Sequence, residues 1–336
     1  MKEKMTKEEL YKALYTVLDN GKKNELSLEN NDIRNKTLKT LLGEKIDLKA
    51  QIEKYNKIQK AREELGNQDA NATKNKAEIF DDIVKYWKAI HHLYVCYLNK
   101  LKSFCDNKTI NKILIYEAPP MPSDEKDSEK DGKINYILAQ SCVDCNKSCK
   151  DCEINCELFK ENPDGNYKKT IEQLKSKEGQ KIQEILVNQG ILFIDLCPLP
   201  LPMTTIIRKS VWGKDFVDEG KPLTVVLLEL ALRFALEKGI KISEKPIIAM
   251  GTPTATSQSI YLYFEKMKND ECPNPYISIN VIDEVWNIDF SKLLEINEKY
   301  DKENQILPLY KSNIIAGSNT PNAELLERIF ENPVKI

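Results

Sequence analysis

The chain has 336 residues, 41% of them hydrophobic and 30% charged, with a formal net charge of −2. That is the balance of a globular protein large enough for one big domain or two ordinary ones, and no run of eighteen apolar residues is present to span a membrane. The near-zero charge neither requires nor excludes nucleic acid, because a DNA binder needs only a local basic face.

Met1 to Leu10 is charged and has no apolar signal core, so a cytoplasmic location is expected. The first hundred residues read as helices. Glu44 to Leu65 places Leu48, Ile52, Tyr55 and Ile58 on one side. After a polar break at Gly66 to Lys76, Ile79, Ile83, Trp87, Ile90, Tyr94, Tyr97 and Leu101 recur at steps of three and four. That periodicity predicts a helix buried along one stripe, and it ends near Asn107. The only histidines, His91 and His92, lie on this helix and are expected to be structural or surface residues.

Beyond this point the texture changes to short apolar runs: Ile113 to Ile115, Ile191 to Ile194, Ile247 to Met250, Ile277 to Ile279 and Asn313 to Ala316. Helical segments, Lys168 to Asn188 and Leu223 to Lys238, precede two of them. Continuous apolar strands alternating with helices predict an α/β fold, a central parallel sheet of about four strands flanked by helices. The division expected is a helical N-terminal region over 1–108 and an α/β domain over 109–336, with a Cys-rich insertion at 142–156. Ligands of such sheets bind beyond the carboxyl ends of the strands, so the residues after each strand are the candidate site.

Those residues are Tyr116-Glu117-Ala118-Pro119-Pro120, Asp195-Leu196-Cys197-Pro198, Gly251-Thr252-Pro253 and Ser318-Asn319-Thr320-Pro321-Asn322. Prolines remove backbone donors and stiffen the first two loops, each of which starts at a carboxylate. The last leads into a helix, a setting suited to a phosphate. Each has a plain alternative: Glu117 and Asp195 as ordinary loop carboxylates, and Ser318 to Asn322 as a helix N-cap.

Five cysteines, Cys142, Cys145, Cys149, Cys152 and Cys156, fall in the pattern C-x2-C-x3-C-x2-C-x3-C. Cys142, Cys145, Cys149 and Cys152 can supply four thiolates to a zinc ion or an iron–sulfur cluster. The same positions follow a three-four helical repeat, so packing of one helical face is the alternative.

In order and spacing these loops resemble the motifs of the uracil-DNA glycosylase superfamily. Tyr116-Glu117-Ala118-Pro119-Pro120 looks like the Gly-Glu-Ala-Pro-Gly motif of its thermostable iron–sulfur branch. Gln189 to Asp195 is similar to the strand that ends on a uracil-reading asparagine. Ile248 to Gly251 is similar to the family's third strand. Ser318-Asn319-Thr320-Pro321 stands where the family has His-Pro-Ser-Pro, and Tyr136 where an aromatic stacks on the flipped base. The resemblance covers roughly Lys112 to Phe330. It implies a DNA glycosylase, a base-excising hydrolase acting on DNA, with no cofactor needed for the chemistry. Glu117 and Asn319 are then the catalytic candidates. Asp195, Tyr136, Tyr116, Pro119, Ser318 and Thr320 are the substrate-binding candidates.

The departures carry information. The motif glycines are replaced by Tyr116 and Pro120, which suits a pocket mouth widened for a bulky substituent. The water-orienting aspartate of some members corresponds to Ala118, and the histidine of the last motif is absent. Asparagine at position 195 would donate to uracil O4 and accept from N3–H, whereas a protonated aspartic acid accepts from the cytosine amine and donates to N3. Burial favours that neutral form. The expected substrate is therefore a cytosine-type base, and a modified one, such as glucosylated hydroxymethylcytosine in phage defence, because excision of ordinary cytosine would destroy a genome. The alternatives are an inactive sensor of modified or damaged bases on the same fold, and a nucleotide hydrolase or metal-binding regulator sharing only the sheet.

Overall fold

The computed structural model describes residues 5–16, 25–43, 76–105, 108–119, 138, 177–201, 211–216 and 220–250. In chain order the elements are α1 (Lys7–Tyr15), α2 (Asn31–Leu42), α3 (Lys76–Cys105), β1 (Ile110–Tyr116), α4 (Lys177–Asn188), β2 (Ile191–Asp195), β3 (Asp215–Phe216), β4 (Lys221–Pro222), α5 (Leu223–Glu237) and β5 (Ile242–Met250).

The two short N-terminal helices start where side chains satisfy their first amides. The Thr6 hydroxyl accepts from the Glu9 N–H at 3.2 Å, and the Glu9 carboxylate accepts from the Thr6 N–H at 2.7 Å, a complete capping box for α1. The Asn30 side chain accepts from the Asp32 N–H at 2.9 Å to start α2. Gly43, at φ 88°, ends it in a conformation other residues avoid. A carbonyl in the last turn of each helix meets a buried indole. Trp87 Nε1 donates to the Leu14 carbonyl and Trp212 Nε1 to the Leu41 carbonyl, both at 2.9 Å. These bonds satisfy acceptors that a helix end leaves over.

The stripe predicted for α3 is buried: Ile83, Trp87, Ile90, Tyr94, Tyr97 and Leu101 all face the core, and the helix ends at Cys105. His91 and His92 are buried too. The apolar runs at Ile113, Ile191 and Ile247 lie in β1, β2 and β5, which form one parallel sheet in the order β2-β1-β5. The protein is thus a mixed α/β structure with a three-stranded parallel sheet among its described residues. The runs at Ile277 and Asn313, the helix expected over Glu44 to Leu65 and the start of the one expected from Lys168 lie outside those residues. The short antiparallel pair β3-β4 was not expected from the sequence.

Among the described residues β2 is the end strand of this sheet, and α3 lines its outer edge with two phenols. The Tyr97 hydroxyl accepts from the Phe193 N–H at 3.1 Å and donates to the Ile191 carbonyl. The Tyr94 hydroxyl donates to the Phe193 carbonyl at 3.1 Å. An edge that would invite a further strand is occupied by side chains.

α5 is apolar apart from a few groups, and these tie it to α1. Glu229, 0% exposed, pairs with Lys7 of α1 and with Lys221 of β4 at 2.8 Å. Arg233 pairs with Glu8 at 2.6 Å and Glu237 at 2.8 Å, and its guanidinium lies 3.8 Å over the Tyr11 ring. The Tyr11 hydroxyl donates to Glu237 at 2.5 Å. One hydrophobic cluster runs through α1, α2, α3, β1, β2 and α5. Among the described residues no helix is long and apolar enough to cross a membrane.

Candidate functional site at the carboxyl edge of the sheet

Parallel pairing fixes which end of the sheet carries the candidate residues. β1 and β2 run in register, with Tyr116 opposite Asp195, so both strands end at the same edge. The pairing continues past the strands: the Leu196 N–H donates to the Tyr116 carbonyl at 2.8 Å and the Cys197 N–H to the Glu117 carbonyl at 2.9 Å. Glu117 and Asp195 are therefore held at one edge by backbone bonds. β5 lies on the other side of β1 and ends at Met250. The strand order β2-β1-β5 reverses direction between β1 and β5, and that switch point is where open parallel sheets take ligands.

Opposite residues of a parallel pair point to the same face. Tyr116 and Asp195 accordingly share a face with Leu114 and Phe193, and the Tyr116 ring lies 5.6 Å from that of Phe193. Glu117 is 4% exposed and Asp195 9%. Pro119 is buried, and so is the whole run from Leu196 to Leu201. The proline-stiffened loop after β2 dives into the protein instead of lying on its surface. Tyr116, where the resemblance has a glycine, gives the site an aromatic wall beside Asp195.

Around Asp195 are groups from three other elements. Burial pushes the Tyr116 phenol well up, and the Asp195 charge adds to it. Burial likewise raises the Tyr94 phenol, helped by Tyr97 and then Asp195. Tyr15, from α1, is raised by burial, then by Tyr94, Cys197 and Asp195. The Cys197 thiol is pushed up to about 12, chiefly by burial and in lesser part by Asp195, against a lowering backbone hydrogen bond at Leu199. Cys197 is thus a neutral thiol with little nucleophilic character near pH 7. His91 packs at 5.2 Å from the Phe234 ring and 6.2 Å from Trp87, and burial lowers it to about 3. It is a neutral core residue.

Of the residues singled out in the sequence, Tyr116, Glu117, Pro119 and Asp195 come together at this edge. Tyr136, Ser318, Asn319, Thr320, the turn at Gly251 and the cysteines Cys142, Cys145, Cys149, Cys152 and Cys156 lie outside the described residues. Among the described residues no group of three or more His, Cys, Asp or Glu side chains is placed to hold a metal. Sequence reasoning missed Tyr15, and it read Tyr94 only as part of a buried stripe. The spacing of Leu10, Tyr11, Leu14 and Tyr15 marks an aromatic buried side for α1, but nothing local links that side to Asp195.

No family model matches the chain, and neither a curated protein nor a solved structure matches it.

Proposed function

We propose that the chain is a DNA glycosylase that hydrolyses the N-glycosidic bond of a flipped, modified cytosine-type base. Glucosylated hydroxymethylcytosine, in defence against phage, is the modification the proposal favours, on a four-stranded fold of the uracil-DNA glycosylase type. The observation that carries this reading is the register of Tyr116 with Asp195, which sets Asp195 and Glu117 at one carboxyl edge beside the switch point of a parallel sheet.

A base taken out of the stack would lie against Tyr136 and the Tyr116 wall beside Pro119, with its Watson–Crick edge toward Asp195. Protonated, Asp195 accepts from the exocyclic amine and donates to N3. As the bond to the base breaks, its electron pair leaves with the base and the sugar gains oxocarbenium character. Glu117 stabilises that charge or aligns the water whose oxygen bonds to the sugar carbon, and the proton this water loses is balanced by the one the departing base takes up. Asn319, with Ser318 and Thr320, holds the leaving base or the flanking phosphate. Cys142, Cys145, Cys149 and Cys152 would hold zinc or an iron–sulfur cluster as a fold staple, outside the chemistry.

Ala118, where some members of the superfamily orient water with an aspartate, favours a second reading: a sensor that binds the modified base without releasing it. One experiment separates the two. The chain is incubated with oligonucleotides carrying uracil, cytosine, hydroxymethylcytosine or its glucoside, and free base and abasic sites are measured alongside binding. Release from the modified cytosines alone is the expected result. Binding without release selects the sensor, and neither binding nor release overturns both.

A further inference from the structure

The N-terminal helix α1 brings one polar group to this site that no reading of the strand-end loops includes. Tyr15 is 4% exposed. Its ring stacks on Phe234 at 4.9 Å and on Tyr11 at 5.5 Å. Tyr94 stacks on the same Phe234 ring at 6.0 Å and reaches the backbone of Phe193, two residues before Asp195. The rings are thus packed on one another, yet among the described residues the Tyr15 hydroxyl has no hydrogen-bond partner. A buried hydroxyl normally finds one, and leaving it without costs more than a methylene-like contact would return. Phenylalanine would fill the same space without that cost. Among the described residues the groups that act on this hydroxyl, Tyr94, Cys197, Asp195 and Tyr11, include no cation, which disfavours an anionic ligand and favours a neutral, hydrogen-bonding one.

We propose that Tyr15 is a substrate-binding residue whose hydroxyl, unpartnered among the described residues and set by the Phe234 ring close to the Tyr94–Phe193 contact of β2, hydrogen-bonds a neutral hydroxyl group carried by the modified base. The assignment rests on the glycosylase reading and deepens it: Tyr15 reads the substituent while Asp195 reads the ring. A phenol both donates and accepts, so it matches a hydroxyl in either orientation.

The test compares wild type with Tyr15→Phe, which keeps every ring contact. Two quantities are measured: the melting temperature of the free protein, and affinity by fluorescence anisotropy for matched oligonucleotides carrying cytosine, hydroxymethylcytosine or its glucoside. The variant should melt at or above the wild-type temperature, because the lost hydroxyl has no partner among the described residues. Its affinity for the hydroxylated bases should fall about tenfold while its affinity for the cytosine oligonucleotide stays unchanged. A melting temperature lowered by several degrees means the hydroxyl is bonded within the protein and overturns the assignment. Equal losses on all three oligonucleotides, or none, against a wild type that discriminates among them, overturn the assignment and leave the glycosylase reading standing. A wild type that prefers no modified base removes the glycosylase reading and the assignment with it.

Discussion

The two ends of β2 use the same residue type in different ways. At its amino-terminal end Tyr97 and Tyr94 are buried, and their hydroxyls close the strand's outer edge by bonding the backbone of Ile191 and Phe193. Toward its carboxyl end, where Cys197 and Asp195 act on it, Tyr15 is as deeply buried, and its hydroxyl has no hydrogen-bond partner among the described residues. Burial alone therefore does not tell a structural tyrosine from one available to a ligand. The bonding of the hydroxyl does, because a phenol taken out of water keeps its need for a partner.

The largest expected effect lies in the seam that brings Tyr15 to this place. Glu229 has Lys7 of α1 on one side and Lys221 on the other, and is itself fully buried. Glu229→Gln removes the negative charge that Lys7 and Lys221 share and breaks the ion pair with Lys221, whose side chain is 10% exposed. Breaking a buried pair in this way costs about 3 kcal/mol, read as a lower urea midpoint. A variant as stable as wild type would mean that apolar packing alone holds α1 on α5.

The next effect tests the amino-terminal end. Tyr97→Phe strips a donor from the Ile191 carbonyl and an acceptor from the Phe193 amide, both inside the protein. Two buried backbone groups left unmatched cost roughly 2 kcal/mol, and exchange of the Phe193 amide should accelerate in the same variant. Tyr15→Phe, with the same atom removed at equal burial, should show no such loss. If the two variants lose stability equally, the contrast between the ends of β2 is wrong.

Much of this frame was legible in the sequence, and for definite reasons. The apolar runs of β1, β2 and β5 are continuous because strands covered on both faces need apolar residues at every position. The stripe from Ile83 to Leu101 shows because helix periodicity is local. The placing of Glu117 and Asp195 at one edge followed from those runs, since parallel strands put their carboxyl ends on one edge. Three features were illegible. Tyr15 lies far in sequence both from Asp195 and from the Phe234 ring on which it stacks. The indoles of Trp87 and Trp212 satisfy helix carbonyls from distant segments. Glu229 sits in the most apolar stretch of α5, where sequence gives no hint of the lysines that pair with it. Side-chain bonds across long separations leave no period to read.

At the carboxyl end the base-reading role of Asp195 gives a sharper test. Asp195→Asn restores the amide that matches uracil. A mismatched two-point contact costs about 1–3 kcal/mol, roughly ten- to a hundred-fold in discrimination. The variant should lose activity on the modified cytosine by about that factor and gain uracil binding or excision. Matched oligonucleotides differing only in the target base measure both. If base preference does not change, Asp195 belongs with Tyr94 and Tyr97 as a structural residue, and both ends of β2 serve the fold alone.

The smallest effect probes the ring that joins the two ends. Phe234 touches Tyr15 at 4.9 Å, Tyr94 at 6.0 Å and His91 at 5.2 Å. His91 reports on that core because burial, with Lys238 and His92 adding to it, lowers its pKa from 6.5 to about 3. In the unfolded chain the imidazole takes up a proton once pH falls below about 6.5, whereas the folded protein holds it neutral down to about 3. The unfolded state then binds more protons, so stability falls as pH falls through this window. The contribution is present in full above the unfolded value and declines by at most about 1.4 kcal/mol per pH unit below it. From pH 6.5 to 5.5 the loss is about 1 kcal/mol. His91→Leu keeps an apolar side chain of similar size and removes the titration. Urea midpoints for wild type and variant at both pH values isolate the histidine, because carboxylates common to the two proteins cancel in the difference. The wild type should lose about 1 kcal/mol more than the variant over that step. Equal losses in the two proteins would mean that His91 gains access to water or a charged partner, and that the core between Tyr15 and Tyr94 is less tightly closed than its ring contacts imply.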